Sequence, residues 1–376
     1  MATFGKTWKI GLILLAIGIL GLALNSEIWA TSPKDMAYGF WQNMGERAAK
    51  ESLKKMKEKG VKPKRGNLIV MSNAGYAEVN GYTTQAALDG LTRATGASRG
   101  RFSLLEIHSA PNTPLWFVIY DKASGLCSYL QMNSSVIQKL SAAVSGLPAA
   151  ELFSINAIED INAEHLYANA LEYNEKFSKG IFGGNEFRII TIANAMAKNA
   201  PAYAARAFEF HDHYCPGVTS GILMVNYLKK QFPLTSGGSY FVQAIQPWCK
   251  EDALMVLLNA TPGKSGYAAD YASAADMATW KPEAKGAATI VYRKNGTTKK
   301  WDGVVLGFTW ADTGCPDYGA GSMMTKLCMD LWYLERMDQP EAFVKEIKRF
   351  DLPEGLTPKD WSRPGVDPMK ELGLVQ

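Results

Sequence analysis

The segment Phe210-His-Asp-His-Tyr-Cys-Pro-Gly217 concentrates the chemistry of a chain that has only four histidines and five cysteines in 376 residues. His211 and His213 stand two residues apart, and Cys215 two further on. In an extended backbone such residues project to one side, so the three side chains are expected to converge on one point. Imidazole nitrogens and a thiolate are ligands for zinc, and also suit nickel or iron. Pro216 suits the first position of a helix, which would put Cys215 at a helix N-terminus. There the dipole and the free N–H groups favour the thiolate and should lower its pKa.

Three ligands from one short segment leave a fourth position for a remote residue, water or substrate. The remote candidate is Cys249 in Trp248-Cys-Lys-Glu-Asp252, 34 residues downstream and again just ahead of a helical run. Two helix starts would then face one another across the site, with Asp252 accepting a hydrogen bond from a ligating histidine. The plainer alternative is a histidine pair on a surface turn, with Cys215 and Cys249 joined in a disulfide. His108 and His165 read as a strand end and a helical position outside the site. Cys315, in Gly314-Cys-Pro316, is either a further ligand or a disulfide partner of Cys328.

The order Phe210, His211, His213, Cys215, Pro216, Gly217, a helix, then Cys249, Asp252, Ala253 and Thr261-Pro-Gly-Lys264 resembles the FmdE family of formylmethanofuran dehydrogenase over about residues 203 to 295. The resemblance implies a small α+β layer fold, with helices packed on a mixed sheet, and a metal centre at the His/Cys cluster. Several family members carry a C-terminal Cys-x-x-Cys zinc ribbon; no two cysteines of this chain are three apart. Family members are mostly cytoplasmic, so the leader described below is a second departure.

The elements that must hold this cluster are legible as strand-like and helix-like runs. Asn67–Met71, Leu115–Tyr120, Ser239–Ile245 and Thr289–Tyr292 are β-branched or aromatic runs of strand length. Gln85–Thr95, Ile189–Phe208, Ser220–Lys230 and Lys250–Asn259 have helical spacing. Their alternation makes the chain α/β or α+β. The halves also echo one another: 37–40 with 207–210 at an offset of 170, Leu53–Lys55 with Leu228–Lys230 at 175, 87–95 with 253–261 at 166, and Tyr120–Lys122 with Tyr292–Lys294 at 172. The expectation is an α+β protein of two tandem, related two-layer domains, paired within one chain. Residues 31–150 form a degenerate copy and 151–311 the metal-binding copy. At those offsets the ligand positions fall on Trp41, Asn43, Gly45 and Thr83, and Asp252 on Ala86, so one metal ion per chain is expected. A tail, 312–376, follows; Asp338-Gln-Pro-Glu341 reads as a helix start, with Phe343 and Ile347 on one face.

Lys6 and Lys9 precede an apolar run, Ile10–Leu24, that is shorter than the roughly 20 residues of a bilayer span. Residues 1–30 therefore read as a secretory signal cleaved after Ala30 or as a retained anchor, and the rest as extracytoplasmic. The cysteines would then meet an oxidising compartment. Lys50–Arg65 is a basic run, either a solvated helix face or a contact for anionic headgroups. With 47% hydrophobic and 20% charged residues the chain is a folded globular protein. A net charge of +4 is too small to argue for nucleic acid, and five cysteines fit neither a disulfide miniprotein nor a zinc array. The expected function is an exported or anchored metal-binding protein, in metal handling or as a redox accessory. The alternatives are a metal-dependent enzyme on a small substrate, with Asp212 and Asp252 as the only nearby general bases, and a metal-free thiol-redox protein using Cys215 and Cys249.

Overall fold

The computed structural model describes residues 38–139, 146–319 and 321–376; the leader expected at 1–30 lies outside them. Ten strands build two sheets: β1 (Leu68–Ser72), β2 (Leu104–Glu106), β3 (Trp116–Asp121), β4 (Leu126–Met132), β5 (Phe153–Asp160), β6 (Ser239–Ala244), β7 (Tyr267–Ala269), β8 (Ala287–Lys294), β9 (Trp301–Phe308) and β10 (Val344–Asp351). The longer helices are α1 (Tyr38–Glu58), α2 (Ala87–Thr95), α3 (Ala170–Ser178), α4 (Glu186–Ala197), α5 (Ala202–His211), α6 (Pro216–Gln231), α7 (Lys250–Leu258) and α8 (Met323–Leu334).

The first sheet runs β2-β1-β3-β4-β5 and the second β7-β6-β8-β9-β10. In each, the first pair is parallel and the remaining pairs antiparallel. Order and sense are thus identical, each strand of the second sheet standing five places after its counterpart. The registers agree as well: Val70 pairs with Ile119, and Val242 with Val291, both at an offset of 172. The Tyr120/Tyr292 match falls at that same offset, in the strands β3 and β8, and both rings are fully buried.

Helix pairs α1/α2 and α6/α7 cover corresponding faces and correct two of the sequence offsets. A Cβ on Gly45 would fall 2.0 Å from Ala87 O, and one on Gly221 2.4 Å from Lys250 O. Both pairs therefore close on backbone at a glycine. α2 and α7 each span nine residues and end on a left-handed cap, Gly96 and Asn259. In space α2 matches α7 at 163, not 166, and α1 matches α6 at 176. Residues 38–40 and their counterparts 208–210 fall in α1 and α5, which hold different places.

The apolar stripes explain the layering. In α1, Trp41, Met44, Ala48 and Ala49 recur at helical spacing and bury against α2 and one face of the first sheet. The opposite face, with Met71, Trp116 and Tyr129, packs on α4, α5 and the start of α6, which forms the join between the two units. The second sheet packs α6 and α7 on one face and the C-terminal residues Trp361, Met369 and Leu372 on the other. The basic run is partly engaged: Lys50 pairs with Glu46, Lys54 with Glu58, and Lys55 reaches Asn156 O at 2.8 Å. Among the described residues no helix is long and apolar enough to cross a membrane.

The sheets divide the chain elsewhere than at 150 and 311. β5 lies past residue 150 yet closes the first sheet, and β10 lies in the expected tail yet closes the second. The helix expected from Asp338 is only a turn, Pro340–Ala342, leading into β10. A bulge explains the difference. Lys348 pairs with Val305 and Glu346 with Leu306, which leaves Ile347 as the extra residue. Val344 then faces one core while Ile347 and Phe350 face the other. A broken strand period here mimics a helical one.

Candidate metal centre

His211, Cys215 and Cys249 come together, each offering one ligand atom, with all three atoms within 4.8 Å of one another. They do so by three helix ends, not by strand alternation. His211 is the last residue of α5, and Asp212 turns the chain with φ 68°. That left-handed residue breaks the period of two on which convergence was expected. His213 is consequently outside the three-residue group, its Nδ1 2.6 Å from Asp212 Oδ1 and its ring 5.3 Å from that of Phe187. The two histidine rings remain neighbours, with centroids 4.4 Å apart.

Cys215 caps α6, with Pro216 in the first position as the sequence implies, and Cys249 caps α7. Gly217 makes the approach possible, because a Cβ there would sit 2.6 Å from Cys249 Cβ and 3.1 Å from its Sγ. The turn that presents Cys249 is braced by a buried ion pair. Lys250 Nζ meets Glu251 Oε2 at 2.9 Å and Gln246 O at 2.6 Å, while Trp248 N donates to the same carboxylate at 2.8 Å. Trp248 itself stands 56% exposed beside the site, its ring against Trp310.

Asp252, in the first turn of α7, lies with Oδ2 2.6 Å from His211 Nδ1. This contact commits Nδ1 and leaves Nε2 as the ring's free nitrogen. That Nε2 is buried and has no hydrogen-bond partner. A buried polar atom without a partner is costly, and here it shares its surroundings with two sulfurs. A metal ion would satisfy all three at once. The donor set N, S, S matches zinc and the softer transition metals and leaves one position open.

The electrostatics single out Cys249 and not, as the helix start at Cys215 suggested, the other thiol. Cys249 is lowered to about 4 by the adjoining Cys215 thiol and the His211 imidazole, against the cost of its burial. Cys215, 7% exposed, is pushed up by that same shared proton and by burial. Burial alone would lower His211, but Asp252 and Cys249 more than reverse it and raise the imidazole to about 9. Burial alone would raise Asp212, but His213 and Arg188, whose Nη2 lies 2.7 Å away, outweigh it and hold the carboxyl below its ordinary value.

The remaining residues singled out in the sequence are elsewhere. Cys315 and Cys328 form a disulfide. His165 contacts Tyr173 OH at 3.2 Å. His108 belongs to the join between the units, its ring stacked on Phe210 and its Nδ1 3.1 Å from Phe210 O. Arg188, Phe187 and Gly217 shape the site without having announced it; only the family-like Cys-Pro-Gly pointed to Gly217.

At the spatial offsets, Cys215 corresponds to Gly39, Cys249 to Ala86 and Asp252 to Asp89. The first unit therefore lacks both thiols but keeps the carboxylate, which accepts a hydrogen bond from Tyr38 OH at 2.7 Å.

Residues 210–313 match the family described as FmdE, Molybdenum formylmethanofuran dehydrogenase operon. The range opens at Phe210 and contains α6, α7 and all of the second sheet except β10. The resemblance drawn from the motif is borne out over this segment, which supplies every member of the three-residue group. No curated protein matches the chain.

Proposed function

We propose that this is an extracytoplasmic protein holding one divalent transition-metal ion, zinc above nickel or iron, through His211, Cys215 and Cys249. The observation that carries the reading is the buried, unpartnered Nε2 of His211 beside two thiols, with Nδ1 fixed by Asp252. Such a carboxylate orients the ring and raises its basicity as a ligand. The FmdE match over 210–313 supports a metal-related accessory role, in metal handling or beside a redox system. A fourth ligand position is filled by His213 after a rotation, by water or by a small substrate; the last would make the protein a metal-dependent enzyme. Export is supported by the sequence of the first 30 residues and by the Cys315–Cys328 disulfide, which is stable in an oxidising compartment.

The test is elemental analysis with thiol titration on anaerobically purified protein. One metal per chain, with Cys215 and Cys249 protected from alkylation, is the expected result. Two metals per chain would contradict a ligand-free first unit. A second reading, a dithiol redox pair, rests on the low pKa of Cys249 beside a protonated Cys215. It predicts no metal and a disulfide between these two residues that a thiol reductant opens.

A further inference from the structure

The join between the two units holds a pocket of about 300 Å³ between β2 and α5. Its floor is apolar, formed by Leu104, Leu105, Ala202 and Ala205, and its rim carries Arg99, Arg206 and Glu209. The charges do not cancel. Glu209 is already satisfied: Arg99 Nη2 lies 3.1 Å from its Oε2, and Glu106 N donates to its Oε1 at 2.9 Å. Arg206 has no ion-pair or hydrogen-bond partner among the described residues. The pocket therefore presents one uncommitted guanidinium at the edge of an apolar hollow.

Phe102 supplies an independent mark. It lines the same pocket, is 42% exposed, and has φ 52°. A bulky aromatic residue in the left-handed region is strained, and it leaves an apolar ring in water. The second cost is offset if the ring covers a bound apolar body.

We propose that this pocket binds a small organic monocarboxylate, with Arg206 pairing with the carboxylate and the apolar body lying between Phe102 and the Leu104–Leu105 floor. An arginine fork matches a carboxylate with two parallel hydrogen bonds. The volume is at the small end of ligand pockets, which restricts the acid to a compact one. The site is separate from the metal centre, although α5, which carries Ala202, Ala205 and Arg206, ends at His211.

The experiment uses the full chain, metal-loaded, with benzoate as probe and binding read by ligand-detected NMR and calorimetry. Benzoate is expected to bind saturably at concentrations up to about 10 mM, as suits a fragment-sized ligand. Arg206→Gln should weaken it about tenfold or more by removing the fork, and Phe102→Ala should weaken it as well. Arg101→Gln, which removes an equal charge outside the pocket, should leave binding unchanged. His211→Ala should also leave it unchanged, which separates this pocket from a carboxylate bound at the metal. Benzamide and inorganic phosphate should not compete, since one lacks the charge and the other the apolar body. The proposal fails if benzoate does not saturate, if Arg206→Gln has no effect, if Arg101→Gln weakens binding as much, if His211→Ala abolishes it, or if benzamide or phosphate competes equally.

Discussion

His211 Nδ1 and Asp252 Oδ2 lie 2.6 Å apart, so the last residue of α5 is tied to the first turn of α7 across the start of α6. Removing the carboxylate frees the ring to rotate and lowers its basicity. Asp252→Ala should weaken metal binding by about ten- to a hundredfold without abolishing it. His211→Ala, Cys215→Ser and Cys249→Ser should each abolish stoichiometric binding. His213→Ala should weaken binding less than His211→Ala, because His213 is held by Asp212 outside the three-residue group. Competition with a chromophoric chelator reads all five.

Gly217→Ala places a methyl group where Cys249 already stands. The chain must separate α6 from α7 at the site, so metal affinity should fall while the fold survives. Near-native far-UV circular dichroism together with unchanged metal affinity would contradict the geometry.

Proton competition gives the centre a definite pH dependence. Metal binding requires His211 neutral, and its folded-state pKa is raised to about 9. Below that value its proton must be displaced as well as that of the raised Cys215 thiol, so affinity should rise with pH more steeply below about 9 than above it, where the Cys215 proton alone remains to be lost. In the apo protein the Cys249 thiolate persists down to about pH 4. Alkylation at pH 6 should therefore modify Cys249 ahead of Cys215, and loaded metal should block it.

Asp330 is fully buried on α8, where among the described residues Thr219 Oγ1, at 3.4 Å from Oδ1, is the one hydrogen-bond partner of its carboxyl, and burial raises its pKa well above the ordinary value. A raised folded-state pKa contributes stability that is complete below the unfolded value of about 3.9 and is lost as pH rises through the folded one. Asp330→Asn, nearly the same shape and never charged, should remove that dependence. Urea denaturation from pH 4 to pH 8 should show the variant gaining on the native protein as pH rises. A constant difference between them would contradict a neutral Asp330.

Cys315 and Cys328 close a loop with a sequence separation of 13. Replacing both with serine should cost about 3 kcal/mol of stability, by the loop-closure entropy of such a link. Metal stoichiometry should not change, since neither sulfur belongs to the three-residue group. Thermal denaturation and metal analysis of the double variant check both halves of this statement.

The sequence is informative where a single residue type carries one meaning. Pro216 marks the start of α6, and the spacing of Cys249 and Asp252 marks the start of α7 and a carboxylate within reach of a histidine. The strand match at 172 holds because strand registers are fixed by both neighbours, as Val70 with Ile119 and Val242 with Val291 show. Helix offsets are less secure: the identities between 87–95 and 253–261 slip by three residues from the spatial match, a shift that keeps a similar helical face forward. His213 departs from its expected place because Asp212 adopts a left-handed conformation that local spacing does not announce. β10 reads as a helix because its bulge at Ile347 spaces apolar residues as a helix would. The choice between disulfide and ligand for Cys315 depends on tertiary distance, which spacing alone does not supply.

Gly45 and Gly221 let both helix pairs close backbone to backbone. The distance between the helices is thereby fixed by main chain, at glycines that stand more than a turn past Gly39 in α1 and past Cys215 in α6. Side chains at the helix starts can change without moving the scaffold, and the two units use that freedom differently: Cys215 and Cys249 in one, Gly39 and Ala86 in the other. The same frame can thus gain or lose a reactive centre through a few substitutions at its rim, with its architecture left intact.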